Sequence, residues 1–456
     1  MKKIAYFLAM GTIAFAACTE QAKEQPTTVH LKGQLIDMGS TEVTMKYDGA
    51  ASMLGDSRDI HLITDAEGRF DTIVTITEPT YYSISRNTLY LTPGDDMTVK
   101  ITPNNKEAEF QGKGAIANNY MKYRLFPKGG SFLEAGENLR KDFASTKALV
   151  DSLAQVRQQQ LDALDSVSSE FKELETMRIK ADVLNSYISY AGYSGMMYKA
   201  KTREEAKAMY DEFRSQLTPY VQPIFSQLNQ DKYLDVAVVR NVLGYIAGES
   251  DTEWGKGITL SAKTKELYDA EKYVDILRKE INTQIADSVR QYIATMKHAE
   301  FATEVEAKLK QASRLLPGQP AFDIEMKDVN GKVCHLSDLK GKVLYVDLWA
   351  TWCGPCCAES PHFESLSKEY QGKDIVFVPI STDTNKKAWL DYIKMHKKEL
   401  TQYNTVDPNI RSQWGVLYIP RFLVIGKDFK IINAYAPVPS DKANIKALLD
   451  AALAQN

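Results

Sequence analysis

The hydrophobic residues of this chain follow three patterns in succession. Between residues 29 and 114 they form short alternating or β-branched runs, the pattern of half-buried strands. Between residues 115 and 315 they recur every three or four positions, the period of amphipathic helices. From residue 316 to 456, strand-like and helix-like stretches alternate, as in α/β domains. The sequence therefore predicts a β domain at 29–114, a helical region at 115–315 and an α/β domain at 316–456.

The first pattern predicts a small all-β domain. Turn residues separate its runs, among them Asp48-Gly49 and Pro93-Gly94-Asp95. Several short strands at this spacing are typical of a β-sandwich. The predicted strands are 29–36, 42–47, 59–64, 69–77, 80–85 and 97–102.

The helical region carries a clear start signal as well as its periodicity. Thr202 and Glu205 have the spacing of a capping box, which opens a helix. Two of the apolar stripes are formed by Leu149, Leu153, Val156, Val274, Leu277 and Ile281.

The α/β pattern contains the stretch that carries the candidate chemistry. Residues 343–350 are apolar except for Asp347, which suits a strand buried on both faces. Cys353 and Cys356 follow where this strand gives way to a helix. A thiol at a helix N-terminus faces unpaired N–H groups and the positive end of the dipole, which favour the reactive thiolate. The spacing leaves the first sulfur exposed and the second one turn deeper, within reach of a disulfide.

The rest of this domain is predicted to continue in a regular order. Asn330-Gly331 suits a tight hairpin between two short strands. The elements predicted after the cysteine helix are a strand at 375–380, a helix at 387–398, a hairpin at 421–435 and a last helix at 441–453.

Composition is that of an ordinary soluble globular protein. The chain has 456 residues, enough for two or three domains, with 44% hydrophobic and 25% charged residues. Its net charge is −3. A weakly acidic chain without basic clusters does not indicate nucleic-acid binding.

The N-terminus reads as a targeting segment. Lys2-Lys3 precede an apolar core that is too short to span a bilayer. The core ends in small residues before Cys18, which resembles a bacterial lipobox, although ordinary signal cleavage beside an unmodified cysteine remains the alternative. The resemblance implies a leader at 1–17, a lipidated Cys18, and a polar tether at 18–28 that holds the protein at a membrane.

Cysteine usage sets the paired thiols apart from the others. Beyond Cys18 the chain has only four cysteines, too few for a disulfide framework in an exported protein of this size. The Cys353–Cys356 pair is therefore more plausible as a catalytic pair than as a structural one. Cys334 and Cys357 are read as small, partly buried thiols, with a second, regulatory disulfide as the alternative.

The sequence around the pair resembles the thioredoxin superfamily, and within it the TlpA/ResA-like extracytoplasmic thiol–disulfide oxidoreductases. The resemblance extends well beyond C-x-x-C, which alone would also suit zinc. The matching residues are Asp347, Trp349, Trp352, the Cys353-Gly354-Pro355-Cys356 motif, Glu359, Pro361 and the segment from Gly415 to Pro420.

The resemblance implies a role for each matching residue. Cys353 attacks a substrate disulfide, and Cys356 resolves the mixed disulfide. Asp347, with a pKa raised by burial, takes the proton of Cys356.

The remaining matches imply positioning and tuning. Pro420 is expected to be cis beside the pair, and the backbone of Ile419 to bind an extended substrate. Trp352 is expected to pack over the active turn and to contact substrate. Gly354, Pro355 and Glu359 are expected to tune the pair, although a solvated Glu359 is equally consistent with the sequence.

The same resemblance implies partners and a location. The protein is expected in the bacterial cell envelope, facing the periplasm, reducing protein disulfides, with apocytochrome c as one candidate substrate. A membrane thiol reductant of the DsbD type would restore the pair. No cofactor beyond the redox-active disulfide is expected, and no metal.

The residues from Tyr90 to Val99 resemble an N-terminal β domain of unknown function that precedes thioredoxin domains in Bacteroidota lipoproteins. This leaves one alternative of a different class, a partner-binding lipoprotein in which the redox domain is secondary.

Two other families of redox proteins do not match the sequence around the cysteines. A peroxiredoxin needs Pro and Thr where Val346 and Ala350 stand, and a Sco-type copper chaperone needs three residues between its cysteines.

Overall fold

The computed structural model describes residues 26–123, 125, 130–248, 259–407 and 409–455. The predicted leader, Cys18 and most of the tether lie outside these residues. The described chain has the predicted classes in the predicted order: β-rich, helical, then α/β. No helix within the described residues combines the length and apolar character needed to cross a bilayer.

The N-terminal strands form two four-stranded sheets, ordered β4-β1-β7-β8 and β3-β2-β5-β6. Buried residues alternate with more exposed ones along β2 and β7, which confirms the two-residue period predicted from the sequence. Gly33 is required where β1 pairs with β7, because a Cβ there would lie 1.8 Å from the Val99 carbonyl oxygen. The strands are β1 Thr28–Leu35, β2 Glu42–Tyr47, β3 Ile60–Ile63, β4 Arg69–Thr75, β5 Thr80–Ile84, β6 Asn87–Leu91, β7 Asp96–Ile101 and β8 Glu109–Lys113.

Two of these strands were absent from the sequence prediction. β6 is buried at every position, so it shows no alternation. β8 buries only Phe110, and its Gly112 has a φ of +94°. Neither strand carries the period-2 signal on which the prediction depended.

Eight α-helices follow among the described residues, and polar side chains open most of them. Thr202 Oγ1 accepts the Glu205 N–H, as the predicted capping motif requires. The Glu205 carboxylate accepts a hydrogen bond from the backbone N–H of Lys201 and not from that of Thr202, so only half of the capping box forms. The helices are α1 Ala115–Met121, α2 Phe143–Asp162, α3 Ser169–Tyr193, α4 Arg203–Leu228, α5 Ala237–Ala247, α6 Ala262–Lys279, α7 Thr283–Ile293 and α8 Ala299–Ser313.

Buried polar contacts join the helices to the β sheets. Arg240 is 3% exposed and donates to the carbonyl of Leu234 and to Asp48 Oδ1, at 2.6 and 3.1 Å. Glu304 on α8, 2% exposed, accepts hydrogen bonds from the backbone N–H and hydroxyl of Ser57. Because an isolated charge is costly to bury, these pairings favour one arrangement of the two regions.

The C-terminal domain is built on a seven-stranded sheet ordered β10-β9-β13-β12-β11-β14-β15. β11 lies inside the sheet, parallel to β12 and antiparallel to β14, and all seven of its residues are buried. The elements are β9 Glu325–Asp328, β10 Val333–His335, β11 Val343–Trp349, α9 Gly354–Glu369, β12 Ile375–Ser381, α10 Lys386–Met395, β13 Tyr403–Asn404, α11 Asn409–Gln413, β14 Arg421–Ile425, β15 Ile431–Asn433 and α12 Lys442–Ala454.

Alternation along β11 decides which helix covers Asp347. Val343 and Tyr345 share a core with Phe363 of α9 and Leu449 of α12. Successive side chains point to opposite faces of a strand, so Asp347 lies on that same face. The acid is therefore placed beneath the helix that begins after Cys353.

Candidate active site

The site lies where β11 gives way to α9. Cys353 is the N-cap residue of α9, and its sulfur accepts the Cys356 N–H at 3.2 Å. Its sulfur thus takes the place that a capping oxygen usually occupies, at the positive end of the helix dipole. This geometry favours a thiolate whenever the pair is reduced.

Cys353 and Cys356 form a disulfide, with Cα atoms 5.3 Å apart. Cys356 is 1% exposed, as expected for the deeper sulfur. Cys353 was expected to be exposed, and that expectation is wrong, since this residue is only 6% exposed. The cause is the loop before Pro420, whose Ile419 carbonyl oxygen lies 3.6 Å from the Cys353 sulfur. The Ile419–Pro420 peptide is cis, as predicted.

Asp347 is 3% exposed, and its Oδ1 has no hydrogen-bond partner among the described residues. Loss of hydration raises its pKa to about 8, and nearby Glu359 adds to the rise while Lys398 opposes it. At neutral pH, with the disulfide closed, the acid is therefore mostly protonated.

Lys398 is a member of this site that sequence reasoning missed. Its side chain is only 6% exposed and forms an ion pair with Glu364 at 3.1 Å. It also donates a hydrogen bond to the Ser360 hydroxyl. Lys398 lies in the loop after α10, far along the chain from the cysteines, so no local motif indicated it.

Asp383 is a second residue that the sequence analysis did not select. It is 2% exposed, and its carboxylate accepts the backbone N–H and the hydroxyl of Thr351 at 2.9 and 2.8 Å. These bonds fix the turn that leads into Cys353. The sequence did contain a signal for Asp383, because this residue follows β12, the parallel neighbour of β11. The carboxyl ends of neighbouring parallel strands meet at one edge of the sheet.

The residues predicted to tune the pair differ in their surroundings. Glu359 is half-buried, and its carboxylate accepts the Ser440 N–H and hydroxyl at 2.9 and 2.7 Å, so it is not simply solvated. Gly354 and Pro355 are exposed in the first turn of α9. A Cβ on Gly354 would meet no atom within 4 Å, so close packing does not require glycine there.

Large exposed side chains lie next in sequence to the residues at the disulfide, since Trp352 precedes Cys353 and Tyr418 precedes Ile419. Trp352 is 67% exposed, so it presents most of its surface to solvent. Tyr418 and Leu417, next to Ile419, are 79% and 45% exposed. The family motif indicates Trp352 and Ile419 as substrate contacts, but it does not indicate Leu417 or Tyr418. Large apolar groups rarely cluster in water without an interaction role.

The other two cysteines of the described residues, Cys334 and Cys357, are free and have separate surroundings. The Cys334 thiol, on β10, lies 3.6 Å from the Met326 carbonyl oxygen, and burial raises its pKa. The Cys357 thiol lies 3.7 Å from the Thr351 carbonyl oxygen. Burial and a hydrogen bond with Cys357 raise the pKa of Tyr392. Among the described residues, neither Cys334 nor Cys357 takes part in a second disulfide.

The arrangement as a whole suits a two-electron exchange between a dithiol and a disulfide. It offers a sulfur at a helix N-terminus, a second sulfur behind it and a buried acid below. Within the described residues, no three His, Cys, Asp or Glu side chains are grouped so as to hold a metal ion.

Comparisons with known proteins agree on the C-terminal domain. Residues 316–449 match the Redoxin family. The thiol-disulfide oxidoreductase ResA of Bacillus thuringiensis is 29% identical over 116 residues, which cover 25% of this chain and 67% of that protein. A solved structure of a candidate thiol-disulfide oxidoreductase from Bacteroides vulgatus is 61% identical. It covers 31% of this chain and 99% of its own, with a TM-score of 0.30.

Burial of Asp347 predicts a particular dependence of stability on pH. An unfolded aspartate ionises near pH 3.9, whereas Asp347 in the folded protein ionises near pH 8. Between these values the unfolded chain binds fewer protons, so this group makes the free energy of unfolding fall as pH rises. The total contribution is about 5 kcal/mol, an order-of-magnitude figure, and it is complete above pH 8.

Asp347→Asn should abolish this contribution, so the variant should gain stability relative to the native chain as pH rises from about 5 to about 8. Urea unfolding of the oxidised protein measures this through tryptophan fluorescence, since Trp349, Trp352, Trp389 and Trp414 all lie in this domain. Asp374→Asn, at an exposed aspartate of the same domain, is the matched control. A stability difference for Asp347→Asn that stays constant with pH would refute the buried-acid account.

Proposed function

We propose that this chain, a TlpA/ResA-like thiol–disulfide oxidoreductase of the thioredoxin type, works outside the cytoplasm to reduce disulfides of other proteins. The observation that carries the proposal is the position of the Cys353 sulfur. It caps α9 within 3.6 Å of the Ile419 carbonyl oxygen, and the exposed Trp352 and Tyr418 are the sequence neighbours of Cys353 and Ile419. A polypeptide that docks on the Ile419 backbone would bring its own disulfide to this sulfur.

The proposed reaction passes two electrons through the pair. The Cys353 thiolate attacks one substrate sulfur, the substrate S–S bond breaks, and the other substrate sulfur leaves as a thiolate. Cys356 then loses its proton to the ionised Asp347 carboxylate, forms the bond to Cys353 and releases the second substrate thiolate, which leaves Asp347 protonated once the disulfide is closed. The substrate ends as a dithiol and the protein as the Cys353–Cys356 disulfide.

Asp347 suits the acceptor role because its pKa of about 8 lies near that of an ordinary thiol, about 8.5. Proton transfer between groups of similar pKa meets little thermodynamic cost. Lys398 and Glu359 oppose each other in setting that pKa, so we assign both as positioning residues around the acid.

The reducing direction is inferred from Gly354-Pro355 between the cysteines. This dipeptide is that of the reducing thioredoxin, whose potential is about −270 mV. Outside the cytoplasm a reductase must be recharged, and a membrane dithiol donor of the DsbD type would supply the two electrons. Apocytochrome c remains one expected substrate, on the resemblance to the TlpA/ResA-like proteins alone. No cofactor other than the disulfide is needed for these steps.

Exchange at the pair predicts different outcomes for its two cysteines. Cys353→Ser should abolish reduction of insulin disulfides and capture of substrates, because the attacking sulfur is gone. Cys356→Ser should instead accumulate mixed disulfides, because attack proceeds and resolution fails. Non-reducing electrophoresis and mass spectrometry of captured proteins measure both.

Cys334→Ser is the matched control, since Cys334 is a free thiol on β10 away from the pair. The assigned roles are reversed if Cys353→Ser still traps substrates. Partner capture that is unchanged when both Cys353 and Cys356 are replaced would favour the partner-binding lipoprotein instead.

Membrane anchoring through Cys18 is a further part of the proposal, supported by the small residues that precede it. Cys18→Ser, in a bacterium that processes lipoproteins, should shift the protein to the soluble fraction or leave its leader uncleaved. Fractionation and intact-mass measurement report both, with Cys334→Ser as control. Unchanged mass and membrane partitioning of the variant would exclude lipidation.

A further inference from the structure

A cleft of about 420 Å³ separates the helical region from the C-terminal domain. Helices α6 and α8 form one wall, and the segment from Arg411 to Leu417 forms the other together with Tyr435. Val274 and Leu315 on the helical side and Val416 on the opposite side are buried apolar residues that line it. The cleft thus has an apolar floor that both regions supply.

A short stretch of chain connects the cleft to the loop beside the disulfide. Leu417 lines the cleft, is 45% exposed, and lies two residues before Ile419. Two residues span at most about 7 Å of chain. Exposed Tyr418 lies between them, and the Ile419 carbonyl oxygen is 3.6 Å from the Cys353 sulfur. A polypeptide docked beside Ile419 therefore reaches the cleft within a few residues.

The charged residues that line the cleft are all basic: Arg278, Lys308 and Arg411. Arg278 and Lys308 have carboxylate partners in Asp275 and Asp56, neither of which lines the cleft. Within the described residues, the exposed Arg411 side chain has no hydrogen-bond or ion-pair partner. This basic rim stands out on a chain whose net charge is −3.

We propose that this cleft binds an acidic, partly apolar segment of the substrate polypeptide next to the disulfide under attack. Apolar side chains of the segment would contact Leu417 and Tyr435, the apolar lining residues that are not fully buried, and its carboxylates would face Arg411 and Arg278. The inference rests on the proposed reductase function and adds to it a substrate class. The helical region then acts as one wall of the substrate site.

The test compares two peptides that differ only in charge. Each has a single cysteine held as a mixed disulfide with 5-thio-2-nitrobenzoate, with flanking residues that are either glutamate and leucine or glutamine and leucine. The reduced full-length protein attacks the peptide sulfur and releases coloured thionitrobenzoate, so absorbance gives the second-order rate constant. Dividing by the rate constant with free dithiothreitol removes intrinsic differences between the peptides.

The glutamate peptide should react about two- to fivefold faster than the glutamine peptide, the factor expected for exposed ion pairs. The preference should shrink with added salt. Arg411→Glu should remove or reverse it, and Arg411→Lys should keep it. Lys310→Glu is the matched control, because it makes the same charge change on an exposed residue of α8 that does not line the cleft.

Equal rates for the two peptides with the native protein would overturn the cleft assignment. The assignment would also be overturned if Lys310→Glu abolished the preference as fully as Arg411→Glu does. The preference would then come from the overall electrostatic field of the protein and not from the cleft. Sedimentation of the same samples would show whether a second copy of the chain occupies the cleft instead. Failure to release thionitrobenzoate from either peptide would contradict the proposed function itself, a distinguishable result.

Discussion

Burial of one carboxyl group, Asp347, constrains the whole C-terminal domain. Strands β12 and β14 flank β11 on both sides, and pair Asp347 with Pro379 and Phe422. Because all seven residues of β11 are buried, a one-residue slip would move Asp347 only to the opposite face, where it would still be buried. The aromatic core around Tyr345 offsets the cost of burying an acid that lacks a full set of hydrogen bonds.

The burial of Asp347 also determines its protonation state. With a pKa of about 8, the Asp347 carboxyl group keeps its proton at neutral pH while the disulfide is closed. An aspartate on the protein surface would be ionised at that pH. The helix dipole at Cys353 favours the opposite charge state for the attacking sulfur. One strand-to-helix junction thus gives two groups different environments, with the Cys353 sulfur at the helix end and the Asp347 carboxyl group in the core.

The parts of the site that were predicted from the sequence are those with local signals. Cys353, Cys356 and Asp347 lie within ten residues on one apolar run, and Pro420 ends a recognisable segment. Lys398 and Asp383 reach the site only through the sheet topology, which brings separate loops to one edge. The near-burial of Cys353 was missed because it depends on Ile419, far along the chain. Strands β6, β8 and the two-residue β13 were missed because none shows an alternating pattern.

The cleft also depends on contacts that no motif reveals. Helix α8 bonds to the β sheets through Glu304, while Ala312, near its end, lines the cleft. Leu315, just beyond α8, lies so close to Gly415 that a Cβ there would come within 3.2 Å of its Cδ1. Contacts therefore link the β sheets to the helices and the helices to the C-terminal domain. Through these contacts the two N-terminal regions position one wall of the cleft.

The central claim, that the pair is a reductant, is tested most directly by its equilibrium potential. The full-length protein would be equilibrated in glutathione and dithiothreitol redox buffers, quenched by alkylation, and the Cys353–Cys356 state read by mass spectrometry. The account predicts a potential near that of thioredoxin, about −270 mV. A potential near those of disulfide isomerase or DsbA, about −180 to −120 mV, would contradict it, because such a pair donates disulfides rather than removing them.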